Sequence, residues 1–398
     1  MITKPTLAER DLRYSRIREA MKKQGFDALL IAAKGHGWTG RGYLRYLTDF
    51  HIWGHDGIIL FPLDDEPLLC MSSGPVAGMV ARRGWINEHR GDWHVTPTIV
   101  EEVKRRGLDK GKLGVVGHTW ILGAGLFDIL KDGLADAELV NADLLLNKVR
   151  AIKSPFEIQQ YRELWTVSKG ALERFVTHLE PGMTERQASA EPYRYLHEHG
   201  ARGDLIFINS NPPGDRILEM EGILAFHMEI CHASGHYNES TVTLAFRDPT
   251  ELELRLAECE INAYDKVMEA SVPGVTLEDL FHVFQASMRD QGWVFTEPRG
   301  VRFEFHAQGM DWMEWPTYSW NDPNAHALAG NFEATEPPKI EAGMVFNYHP
   351  TPLPGHFEGH ENVKIAKSAC HVTDHLLITK DGGVRLSGDD WDFRWRLA

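Results

Sequence analysis

The chain has 398 residues, a formal net charge of −15, and apolar and charged fractions of 43% and 25%. That length exceeds one compact core and points to two domains. The acidic balance excludes nucleic acid and anionic lipid as partners, since neither meets a favourable field at such a surface. No apolar run reaches membrane-span length, and the first residues, MITKPTLAERDLRY, are polar and charged. The four cysteines (Cys70, Cys231, Cys259, Cys370) form no CxxC pair. The expectation is a cytoplasmic protein with no membrane contact, no disulfide framework and no zinc knuckle.

Residues 12–24 carry apolar side chains at helical spacing, followed after Gly25 by the strand pattern FDALLIAA and the turn-rich KGHGWTGRG. YLRYLTDF, GIILFPLDDEPLLC and KLGVVG continue the alternation of helices and strands to about residue 145. This predicts an α/β domain over 1–150. A new unit, 151–398, opens at Ser154-Pro155, with serine at a helix cap and proline at the first helical position. It contains a weak repeat. LERFVTHLEPGMTERQ and YDKVMEASVPGVTLED both read as helix, Pro-Gly turn and threonine-capped helix. Thr184 with Gln187 forms a capping box, and Thr276 with Asp279 a weaker one. Strands attend each unit: IFINS and GILAFHMEICHASGHYNESTVTLAF, then VRFEF and GMVFNYHP. The pattern predicts pseudo-twofold α/β halves with a common sheet floor and a site on its concave face.

The segment His306 to Pro316, HAQGMDWMEWP, carries a histidine, a glycine turn and a Glu-Trp-Pro ending, with Met313 before Glu314. Together with RIREAMKKQGFDALLI, VRAIKSPFEI, the two PGxT turns, EAGMVF and LLITKDGG, it resembles the creatinase, aminopeptidase P and prolidase superfamily. The resemblance implies an N-terminal creatinase-like domain and a C-terminal pita-bread domain, an α/β (α+β) chain overall. It also implies a homodimer in which the loop Phe50 to Gly57, with Trp53 and His55, edges the partner's site. The family's peptidases hold two metal ions with carboxylates and one histidine. Here the resemblance keeps His306 but places Glu229, Thr241, His349 and Thr373 at the other ligand positions, and Met313 where a second histidine belongs. With both bridging carboxylates aligned to threonines, a dinuclear centre is not expected. Creatinase's reactive groups fall on Asn211, Thr243 and His349, so its chemistry does not carry over either.

Strand alternation directs His227, Glu229, Thr241, Thr243, Asn347, His349, His371 and Thr373 to one face. His306, His349 and Glu229 are the candidate catalytic groups, two histidines titrating near neutral pH beside one carboxylate. The candidate substrate-binding residues are His227, Thr241, Thr243, Trp312, Glu314, Trp315, Tyr348, His371, Thr373, Trp53 and His55. The aromatic residues suit a cationic or aromatic small substrate, or simply a core. The preferred expectation is a small-molecule hydrolase or lyase that cleaves a C–N, C–S or C–O bond without a metal. The first alternative is one divalent iron, manganese or zinc ion on Glu229, His306 and His349. The second is a non-catalytic binding protein on the same fold.

Overall fold

The apolar run after Gly25 becomes the strand Ala28–Lys34, buried at all but its last residue. A run apolar at every position suits a strand covered on both faces. It lies inside a six-stranded sheet, antiparallel to Asp56–Pro62 and parallel to Lys112–Val116. Leu68–Met71 and Glu88–Gly91 extend one edge of this sheet and Glu138–Asn141 the other. The structure, a computed structural model, describes residues 3–35, 40–51, 54–296, 301–302, 304–319, 337–349, 351–352, 355–363, 365, 372–394 and 396–397.

The second unit opens where the sequence places it. Ser154 caps the helix Pro155–Thr177 through a full capping box with Glu157. Thr184 and Gln187 do the same for Glu185–Glu198. The Thr276–Asp279 box on Leu277–Asp290 is as complete as the others, with bonds of 2.8 and 3.1 Å. The shorter acidic side chain still reaches the cap N–H. A further box, Thr250 with Glu253 on the helix Glu251–Ala270, is not among the motifs read from the sequence.

The expected single floor is two sheets. One orders its strands Arg396–Leu397, Tyr237–Ala245, Ile223–His232 and Ala201–Ile208. The other orders Glu314–Ser319, Glu304–Ala307, Val345–Tyr348, Asp374–Thr379 and Gly382–Arg385. Polar side chains stitch them together. Thr241 Oγ1 meets Thr373 Oγ1 at 3.1 Å, and the Asn238 amide donates to His375 Nδ1 at 3.4 Å. Behind the sheets lies an apolar core in which Phe175 stacks on Phe226 with centroids 3.7 Å apart.

Buried charges join the two units. Asp311 accepts the backbone N–H groups of Gly40 and Gly42 at 2.8 and 2.9 Å and the Arg150 guanidinium at 2.9 Å. Glu314 is bound by Arg150, by Lys153 at 2.8 Å and by the Met310 N–H at 2.9 Å. Glycine is required at two of the contacts. A Cβ on Gly42 would lie 2.4 Å from the Asp311 carboxylate, and one on Gly309 would lie 2.2 Å from that of Glu314.

Candidate active site

The candidate site forms where the two sheets of the second unit face each other. Glu229 and Glu239 are direct cross-strand partners, as are His227 and Thr241. All four therefore share one face by the period of two. From the opposite sheet come His306, on Glu304–Ala307, and His349, just past Val345–Tyr348. Strand pairing sets His306 beside Asn347.

The His306 and His349 Nε2 atoms lie 3.2 Å apart. Glu239 faces both, with Oε1 3.4 Å from His306 Nε2 and Oε2 3.6 Å from His349 Nε2. On the other side of Glu239, His227 Nε2 lies 3.5 Å from Glu229 Oε1. The donor atoms of Glu239, His306 and His349 all fall within 4.8 Å of one another, and so do those of His227, Glu229 and Glu239. Glu239 is common to both groups.

The hydrogen bonds around the cluster fix its orientation. His306 Nδ1 sits 3.3 Å from the Ala307 carbonyl, which can only accept, so Nδ1 carries the proton. That turns Nε2 toward Glu239 and His349. A backbone carbonyl on the far ring nitrogen is the usual support of a metal-ligating histidine. Glu239 Oε1 accepts from the Gln308 amide at 2.8 Å. The Gln308 carbonyl accepts from His375 Nε2, whose Nδ1 receives the Asn238 amide, and Asn238 Oδ1 accepts from Ser168 Oγ at 2.6 Å. This chain of fully buried groups holds the Glu239 carboxylate in one rotamer. Burial depresses His375 to a pKa of about 3, so it stays neutral and its tautomer is fixed.

The two glutamates are pushed apart electrostatically. Burial raises the Glu229 carboxyl, and the charge of Glu239 raises it further. Burial acts on Glu239 in the same sense, but His349 and His306 outweigh it and hold that carboxyl well below the usual range. Among the described residues, neither glutamate has a Lys or Arg partner; the titratable bases that face them are histidines.

The carboxylate between His306 and His349 is thus Glu239, and the expected Glu229 group is corrected. Glu229 pairs with His227 instead. Glu239 shares strand parity with Thr241 and Thr243, so alternation alone could have found it. Thr241 lies in the site, bonded to His227 Nδ1 at 2.9 Å and to Thr373. Thr243 is buried two residues farther along. Trp312 flanks His306, with ring centroids 6.0 Å apart.

Several expected site residues lie elsewhere. Glu314 is engaged by Arg150 and Lys153 at the joint between the units, and the buried Trp315 ring takes Lys148 over its face. Met313 lines a small cavity with Tyr43 and Arg150. Tyr348 points to the opposite face of its strand, into the core against Tyr264 and Phe305. His55 lies beside Ser72 in the first unit. Trp53 and His371 fall outside the described residues. Near His356 the chain forms a short strand, Gly355–Phe357, that pairs with Trp293–Phe295 and buries Phe357.

Comparison with known proteins agrees with this architecture. The model of metallopeptidase family M24 matches residues 159–380, and that of the creatinase/prolidase N-terminal domain matches residues 13–152. A putative dipeptidase of Bacillus subtilis, YkvY, is 22% identical over 392 residues, spanning 94% of this chain and 97% of that protein. The dipeptidase PepE of Mycobacterium ulcerans superposes with a TM-score of 0.73 at 17% identity over 99% of both chains. An X-Pro aminopeptidase of Thermotoga maritima gives 0.75 at 15% identity, over 97% of this chain and 99% of that one.

Proposed function

Because this chain belongs to metallopeptidase family M24, we propose that it is a metal-dependent hydrolase of a small amide- or peptide-type substrate, with one divalent ion held by Glu239, His306 and His349. The observation that carries this reading is the meeting of two imidazole nitrogens over one carboxylate at 3.2, 3.4 and 3.6 Å. Ligands about 2.1 Å from a tetrahedral ion stand about 3.4 Å from one another. Two histidines and a carboxylate suit zinc, iron or manganese. The expectation of a metal-free site stands against both the family and this donor set.

A bound ion would supply a Lewis acid and an activated water. The protein's own groups supply the rest. Gln308 and the buried chain behind it keep Glu239 aimed. His227 and Glu229, paired on the more open side of the cluster, are placed to take a proton from water and return it to a leaving group. Trp312 offers an aromatic wall beside His306, which suits a substrate with an aromatic or cationic part. With this reading we retain a homodimer and a cytoplasmic setting. The latter is supported by three buried free thiols, Cys70, Cys231 and Cys259.

A panel of dipeptides, with and without C-terminal proline, together with guanidino and betaine compounds, should be incubated with the protein before and after dialysis against a strong chelator. Hydrolysis that disappears with the metal and returns on adding one supports the reading. Turnover indifferent to chelation would instead favour a metal-free site in which the 3.2 Å His306–His349 contact is an N–H···N hydrogen bond.

A further inference from the structure

A cavity of about 320 Å3 lies between the first-unit helix Arg41–Thr48 and the far ends of the strands Ala201–Ile208 and Ile223–His232. None of the Glu239 cluster lines it. In a chain of net charge −15, its charged lining consists of Arg41, Arg45 and Arg202. Two carboxylates answer these three guanidinium groups. Asp204 binds Arg41 and Arg202, each at 2.7 Å, and Asp49 binds Arg45 at 3.1 Å. One positive charge is left in excess.

One buried donor at this cavity, Arg45 Nε, has no acceptor among the described residues. His232 also lines the cavity; its Nδ1 is turned to Ser234, with Oγ at 2.9 Å and the backbone N–H at 3.5 Å, which leaves Nε2 as the ring nitrogen for a ligand. A buried donor left without a partner is costly, so something from outside the chain is expected to satisfy Arg45 Nε. The rest of the wall is largely apolar and includes Phe50 and Met310.

We propose that this cavity binds a small organic monoanion, a carboxylate with an apolar body. Its oxygens accept from Arg45 and His232, and its body lies against Phe50 and Met310. The single excess charge matches a monoanion better than a phosphate dianion, and an apolar wall has no use for a bare inorganic ion. The occupant would bridge the two units, since Arg45 belongs to one and His232 to the other.

The test is isothermal titration of the intact protein with benzoate, compared at constant ionic strength with uncharged benzamide and with inorganic phosphate. Saturable binding of benzoate, with both comparison compounds roughly tenfold weaker or worse, is the expected result. Arg45→Met should weaken benzoate by roughly tenfold or more, the effect of losing one charge-assisted bond. His232→Leu should weaken it too, and carries the test if Arg45→Met does not fold. His306→Ala should leave it unchanged, which separates this cavity from a carboxylate held at a metal. No saturable benzoate binding would overturn the proposal. So would equal binding of benzamide or phosphate, or binding lost with His306→Ala yet kept in both cavity variants.

Discussion

The second unit carries two sets of buried carboxylates, Asp311 with Glu314 and Glu229 with Glu239, and their partners differ in kind. At the joint between the units, Asp311 and Glu314 are met by Arg150, Lys153 and backbone N–H groups. These cations are permanent parts of the chain. In the candidate site, Glu229 and Glu239 are met by His227, His306 and His349. Imidazoles can be neutral, and one of them is held with Nδ1 on a backbone carbonyl and Nε2 turned inward. A buried carboxylate needs compensation. Where the chain supplies a fixed cation, the group is structural. Where it supplies histidines, the site is suited to a cation that comes and goes.

Substitutions at the two sets should therefore fail in different ways. Glu314→Ala takes the carboxylate from Lys153 and leaves Arg150 with Asp311 alone, and the expected loss of stability in urea melts is about 3–5 kcal/mol. Glu239→Gln removes one of two facing carboxylates, and the expected cost is below about 1 kcal/mol, while metal affinity and turnover fall by at least roughly a hundredfold. If Glu239→Gln unfolded the protein as Glu314→Ala should, the contrast would be lost.

A pH titration sharpens the comparison. The pKa of His375 falls from 6.5 to about 3 on folding. A depressed histidine contributes stability that is present above the unfolded pKa and is lost as pH falls toward the folded one. Between pH 7 and pH 5 its share of that loss should be about 2 kcal/mol in denaturant melts. His375→Gln should flatten this limb. An unchanged acid limb in the variant would mean that His375 is not held neutral.

The smallest effect expected is at the edge of the site. Trp312→Phe keeps an aromatic wall beside His306, and it should change KM by no more than about threefold with kcat unaltered. A collapse of kcat would place Trp312 in the chemistry itself.

Much of the fold was legible because its signals are local. Ser154-Pro155, Thr184 with Gln187 and Thr276 with Asp279 announce helix starts through bonds that span only three residues. The apolar run at Ala28–Lys34 announces a covered strand. The site was legible in part. His306, His349, His227 and Glu229 follow from alternation together with family position, but Glu239 was passed over because the alignment put the ligand position at Thr241. Strand parity admits both, and only the cross-strand register with Glu229 chooses between them. Glu314 and Trp315 were misplaced for the opposite reason. Nearness in sequence to His306 suggested nearness in space, while the chain turns at Gly309 and carries them to the joint. Tyr348 sits between Asn347 and His349, and the same alternation that brings those two inward sends it to the core.

The most direct test of the central claim is metal content per chain by plasma mass spectrometry, on untagged wild type and on Glu239→Gln. Close to one zinc, iron or manganese per wild-type chain, and almost none in Glu239→Gln with its melting temperature retained, is the result expected here. Two ions per chain would make His227 and Glu229 ligands rather than proton carriers. No metal in the wild type, even after incubation with all three ions, would contradict the account and return the cluster to metal-free chemistry or to binding alone.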